Sequence, residues 1–111
     1  MTEGQTQPLS QHVTFPSEFG LGFLRDGRLH VVEPITVAWT VEDGQIIAEA
    51  TEINEYGYGD TLGEAIKDLQ ATIVELYLQL DADRERLGAD LQAVYTTLAR
   101  KLRRVDADYG A

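Results

Sequence analysis

The chain contains no cysteine. That excludes disulfides, thiolate metal centres and cysteine nucleophiles, and it fits a reducing compartment. Histidine occurs only as His12 and His30, too few for a histidine-rich metal site. Serine is confined to Ser10 and Ser17, neither in a nucleophile-elbow context, so a Ser-His-Asp hydrolase has no support. Cations are scarce: nine Lys and Arg stand against 19 Asp and Glu, giving a formal charge of -10. Such a chain repels phosphate backbones and favours a basic partner or plain solubility, so direct nucleic-acid binding is not expected. No apolar run approaches membrane-spanning length, and Met1-Thr2-Glu3-Gly4-Gln5 is not a basic region followed by an apolar stretch. The expectation is a soluble, cytoplasmic protein.

What is present suits one domain, since 111 residues at 43% hydrophobic content can bury a core without staples. Residues 1–11 are polar, contain Pro8 and have no sustained period, and are read as a flexible tail; residues 12–111 are read as a single α+β domain. His12-Val13-Thr14-Phe15 suggests a short strand before Pro16. Two Asp-Gly pairs, Asp26-Gly27 and Asp43-Gly44, lie between apolar segments and predict two hairpins with type I′ turns. A two-residue loop at Asp43-Gly44 pairs Val41 with Ile46, Trp39 with Ala48 and Val37 with Ala50, all apolar and on one face. Thr40 with Ile47, Ala38 with Glu49 and Thr36 with Thr51 then form a mostly polar opposite face. The first hairpin would pair Leu24 with Leu29 and is apolar on both sides. Glu33-Pro34 ends it, because proline cannot donate to a ladder, and Ile35 begins the next strand.

Tyr56-Gly57-Tyr58-Gly59 predicts a short irregular strand or a turn with close backbone approach. At Thr61 the period changes from two to 3.6. Thr61-Leu62-Gly63-Glu64 has capping-box spacing, and Leu62, Ile66, Leu69, Ile73, Leu76 and Leu80 follow as one stripe, widened by Val74 and Leu78. Residues 81–87 either continue or break this helix, with Gly88 as a candidate terminator. A second helix over residues 89–105 carries Leu91, Val94, Tyr95, Leu98, Leu102 and Val105, with cations near its C-terminus.

Four constellations invite a chemical reading. Glu49, Glu52, Asp60, Glu64 and Asp68 are the residue type that holds Mg²⁺ in phosphodiester hydrolases; Glu64 already has a capping role and Glu49 and Glu52 differ in strand parity, so a solvated acidic face is favoured. A phosphate-cradling role for the Tyr/Gly loop is opposed by Asp60 at the helix N-terminus. The tyrosines themselves suit either a protein interface or packing on the sheet. Arg100, Lys101, Arg103 and Arg104 are the one basic cluster, which suits contact with nucleic acid or with the acidic body of a second subunit, but complementarity to a helix C-terminus is the favoured reading. His30 is read as a surface residue of the first hairpin. No cofactor and no metal are expected, and no catalytic residue is assigned.

Residues 40–80 resemble the HicB antitoxin superfamily. The likeness lies in a hairpin followed by Ala48-Glu49-Ala50-Thr51-Glu52-Ile53, then Gly59-Asp60-Thr61, then Glu64-Ala65 opening the helix. Thr51 stands where the family commonly has proline, and Asn54-Glu55-Tyr56-Gly57-Tyr58 replaces its Pro-Gly-Cys segment. The resemblance implies a partial RNase H-like β-β-β-α unit without a working active site, which binds and neutralises a small basic, RNA-cleaving toxin. Members usually add a C-terminal DNA-binding part, whereas one amphipathic helix follows here. The expectation is therefore an antiparallel meander packed on a helix, with an extra C-terminal helix, acting as a non-catalytic protein-binding module. A structural homo-oligomer and a metal-dependent nuclease using Glu49, Glu52 and Asp60 are the alternatives. The partner surface is assigned to Glu49, Glu52, Glu55, Tyr56 and Tyr58. Self-association as a homodimer is expected from the two apolar helix stripes, the alternative being that the second helix folds back over Val74 and Leu78.

Overall fold

The computed structural model describes residues 17–105. The tail at 1–11, His12 and the strand expected at 12–15 lie outside the described residues. The chain is α+β, with strands β1 (Glu18–Leu21), β2 (Leu29–Val31), β3 (Ile35–Glu42), β4 (Gln45–Ala50) and β5 (Glu55–Gly59), helices α1 (Leu62–Ala82) and α2 (Ala89–Lys101), and a last strand β6 (Leu102–Arg104). Strands β1-β3-β4-β5 form one antiparallel sheet in that order, and β2 pairs with β6 in a second, two-stranded sheet.

The β3-β4 hairpin follows its turn chemistry. Asp43 and Gly44 both take positive φ, 52° and 77°, as a type I′ turn requires. The register is the expected one, with Val41, Trp39 and Val37 opposite Ile46, Ala48 and Ala50. Thr51 continues it by donating its amide to the Thr36 carbonyl at 3.2 Å. Val37, Ala48 and Ala50 are fully buried and Trp39 is half-buried.

The expected first hairpin does not form. Leu24 does not pair with Leu29; instead β1 joins the edge of β3, and β2 pairs with β6 about 70 residues later in the chain. Asp-Gly tolerates a type I′ turn without enforcing one, and here the Asp26 carboxylate is occupied otherwise. It accepts from the Arg28 amide at 2.9 Å and from the Arg28 guanidinium at 3.0 and 2.8 Å. The Leu29 amide donates to the Asp26 carbonyl at 3.2 Å, which closes a local turn leading into β2. Because Leu24 and Leu29 are both buried, the segment gains more from joining the core than from pairing with itself.

Helix α1 starts at its capping box. Thr61 Oγ1 accepts from the Glu64 amide at 3.1 Å, while the Glu64 carboxylate accepts from the Asp60 amide at 2.9 Å, one residue before the expected cap amide. The helix lies across β5 and β4. Its buried face centres on Ala65, Leu69 and Ile73, with Gln70, Val74, Tyr77 and Leu80 beside them, so it is rotated from the leucine-rich stripe; Leu62, Ile66 and Leu76 are half-buried at its margin. Small Ala65 sits at the centre because the strand beneath it is glycine-rich. A Cβ on Gly57 would fall 2.3 Å from the Ala65 carbonyl and the Leu69 amide, and one on Gly59 2.6 Å from the Ala65 amide. Helix and strand backbones therefore pack directly on each other.

Helix α1 ends at Ala82, where the Asp83 amide donates to the Gln79 and Leu80 carbonyls. Residues 83–86 turn back, held by the Arg86 amide to the Asp83 carbonyl at 2.8 Å and by the Arg86-Asp83 ion pair. Gly88 is thus the N-cap of α2 and not the terminator of α1. Helix α2 folds back on α1, stacking Tyr95 on Tyr77 with ring centroids 5.9 Å apart. Val74 is buried and Leu78 half-buried, so one premise of the homodimer, two uncovered stripes, gives way to packing within the chain. The second helix also stops four residues short of the expected 105. The Lys101 carbonyl accepts from the Val32 and Glu33 amides at 2.8 and 3.3 Å, and fully buried Leu102 enters β6.

Candidate functional site

One face of the four-stranded sheet is covered by α1 and the other is open. Strand parity places Glu18, Ala38, Glu49 and Tyr56 in one row across the open face, and Thr40, Ile47 and Tyr58 in the next. Glu42 and Gln45 lie beyond them toward the hairpin tip. In β5 the alternation is strict: Gly57 and Gly59 face the helix, so Tyr56 and Tyr58 project outward, 40% and 48% exposed. Between them and the neighbouring strands lies a shallow concavity of about 410 Å³, lined by Ala38, Thr40, Glu42, Ile47, Glu49 and the two tyrosines.

The electrostatics of this face are uniform. Glu18, Glu42 and Glu49 make no ion pair with any described residue. The Tyr56 hydroxyl donates to Glu49 Oε2 at 3.3 Å, and the Glu49 charge, together with partial desolvation, pushes the phenol above its ordinary value. The edge of β5 is partly closed by the helix, since the Tyr58 amide donates to Asp68 Oδ2 at 2.9 Å.

Of the five residues assigned to a partner surface, Glu49, Tyr56 and Tyr58 come together here. Glu55 does not join them: it pairs with Ala50, has the parity of Gly57 and is half-buried on the helix side. Glu52 lies in the turn after β4, where Oε1 is 3.2 Å from the Lys101 ammonium and 3.4 Å from the Thr36 amide. Desolvation works to raise the Glu52 carboxyl, yet the Lys101 and Thr36 hydrogen bonds and the Lys101 and Arg100 charges prevail and hold it below its usual range. Glu18 is not legible as part of this face from the sequence, because its alignment with Ala38 depends on β1 joining β3. Glu42 was legible from its parity with Thr40 and Ala38.

The basic cluster is consumed internally. Lys101 is 3% exposed and its ammonium meets Glu33, Glu52 and the Pro34 carbonyl at 3.3, 3.2 and 2.8 Å. Arg100 lies 3.6 Å from Glu33 and Arg104 3.2 Å from Asp81. Arg103 donates to the Ala99 and Leu102 carbonyls, in line with the complementarity expected at a helix C-terminus. His30 is exposed on β2 opposite Arg103, not on a hairpin with Leu24.

The carboxylates weighed as a metal set do not converge. Glu49 serves Tyr56, Glu52 serves Lys101, Glu64 the Asp60 amide and Asp68 the Tyr58 amide. Among the described residues no group of three or more His, Cys, Asp or Glu side chains is placed to hold a metal ion. Nor is any described helix long and apolar enough to cross a membrane. No family model, curated protein or solved structure matches the chain.

Proposed function

We propose that the chain is a non-catalytic, HicB-like protein-binding module whose open sheet face masks a small basic, RNA-cleaving toxin. The observation that carries the reading is the face itself: three carboxylates that make no ion pair among the described residues, around two outward tyrosines on one strand. Tyrosine supplies large amphipathic contact area at low entropic cost, and unpaired carboxylates steer a cationic partner to it. The net charge of -10 adds a long-range attraction. The β3-β4-β5-α1 succession agrees with the β-β-β-α unit that the resemblance implies. The test is binding of the purified chain to a small basic protein encoded in an adjacent reading frame, with inhibition of that protein's RNA cleavage. The reading expects both, each weakened by Glu49→Lys and by Tyr58→Ala. A neighbour that neither binds nor is inhibited overturns it, as does Mg²⁺-dependent RNA cleavage by the chain alone.

A second reading, a homo-oligomer whose role is self-interaction, is favoured by a different patch. Helix α1 covers β5 and β4 but not the tip of the hairpin, where Val41 is 59% exposed beside half-buried Trp39 and Ile46. Apolar surface of this kind marks interfaces. Sedimentation equilibrium checks it: a dimer lost on Val41→Asp supports self-association there, and a 12.3 kDa species throughout removes it.

A further inference from the structure

On the helix side, away from the open face, the loop at residues 22–28 arches over the middle of α1 and leaves a cavity of about 240 Å³. It is lined by buried Leu24, Gln70 and Val74 and by exposed Arg25, Lys67, Ala71 and Glu75. Three observations single it out. First, Gln70 is 2% exposed; its Nε2 donates to the Phe23 carbonyl at 2.9 Å, while its Oε1 has no partner among the described residues. A buried amide oxygen left unpaired is costly, and such groups call for an explanation in function or in an occupant. Second, Arg25 takes φ 62°. The other non-glycine residues with positive φ are Asp43 and Asn54, types that tolerate the left-handed region, whereas arginine does so at a cost. Third, two of the nine cations of a strongly acidic chain, Arg25 and Lys67, line this cavity without an ion-pair partner among the described residues.

The charges at the cavity define the ligand. Arg28, which also lines the cavity, is engaged by the Asp26 carboxylate at 2.8 Å. Among the described residues the other charged groups lining the cavity are Arg25, Lys67 and Glu75, so its cations suit one anionic group on a ligand while the Glu75 carboxylate opposes a second. Glu75 stands eight residues from Lys67 on α1, about 12 Å along the axis at the helical rise, so the cavity is cationic at one end and anionic at the other. The volume is on the order of eight water molecules, below the usual range for drug-sized ligands. We propose that this cavity binds a small organic monocarboxylate, its carboxylate between Arg25 and Lys67, its apolar body on Leu24, Ala71 and Val74, and the Gln70 amide at its side. The site is separate from the open sheet face and does not rest on the function proposed above.

Amide NMR of the full chain tests this with benzoate, using inorganic phosphate at matched ionic strength as the comparator. The expected result is saturable shifts clustered on the 22–28 loop and on the Gln70 side-chain amide. Affinity should fall about tenfold in Lys67→Gln and again in Arg25→Asn, as expected for losing a charge-assisted hydrogen bond. Asparagine tolerates the left-handed backbone, so the second variant removes the cation without adding strain, and thermal melting checks that both variants remain folded. Absence of saturable shifts in the wild-type chain overturns the site. Shifts that persist unchanged in the double variant overturn the role of the two cations. Phosphate binding as tightly as benzoate overturns the assignment to a monocarboxylate.

Discussion

Lys101 is 3% exposed, and its ammonium lies 3.2 Å from the Glu52 carboxylate and ties the end of α2 to the turn after β4. From the sequence alone the two residues fall in separate roles, one in a basic cluster and the other on the assigned partner surface. Glu52→Gln should lower stability by about 1 kcal/mol, less than for a fully buried pair because Glu52 is partly hydrated and Glu33 still faces Lys101. The Glu52 carboxyl is held below its usual value near 4.5, so its contribution is present above that pH and is lost as pH falls through the lower folded value. Urea unfolding at neutral and acidic pH checks both points: wild type should weaken on acidification more steeply than Glu52→Gln.

Gly57 and Gly63 should respond oppositely to alanine. At Gly57 the new Cβ meets helix backbone at 2.3 Å, so α1 must lift, and the expected cost is about 3 kcal/mol or more. At Gly63 the nearest atom is the Thr61 hydroxyl at 4.0 Å and the residue is helical, so alanine should stabilise by about 0.5 to 1 kcal/mol. Thermal melting of the two variants reads the difference directly.

The Tyr95 hydroxyl donates to Asp81 at 2.6 Å, and this bond, with desolvation and the Asp81 and Tyr77 charges, pushes the phenol up to about 12. The stability it contributes is present below the ordinary tyrosine value near 10 and is lost as pH rises through about 12. Ultraviolet titration should reveal a late-ionising tyrosine that disappears in Tyr95→Phe and ionises earlier in Asp81→Asn. The phenylalanine variant should cost about 1.5 kcal/mol, the worth of a hydrogen bond to a charged group.

Binding through the open face should depend on salt. Glu49→Lys should slow association with a basic protein partner and flatten its dependence on ionic strength, because an exposed charge at a rim acts mainly on encounter. Glu55→Lys, on the helix side of β5, should change the association rate less. Stopped-flow association at two salt concentrations checks the pair, and equal effects would argue against the open face as the docking surface.

Features with short-range causes were legible in the sequence. The Asp43-Gly44 turn, the register it imposes, the Thr61 cap and the change of period all rest on groups a few residues apart. The sequence leaves the tyrosines open between an interface and packing on the sheet, and their direction was not legible, because strand parity had to be fixed by which face the helix covers. Gly57 decides it: only a residue without Cβ can lie under Ala65 and Leu69, and that turns Tyr56 and Tyr58 outward.

The sequence by itself determined the α+β class, the central hairpin and the start of the long helix, since turn chemistry, capping and hydrophobic period are local and act before distant segments meet. Only the tertiary structure decided that β2 pairs with β6, that α2 gives way to a strand at Leu102, that Lys101 is buried against Glu52, and that Gln70 lies buried beside a loop cavity. These depend on competition among segments up to about 70 residues apart for the same buried surface. In that competition Leu29 and Leu102 together outweigh the hairpin that Asp26-Gly27 permits.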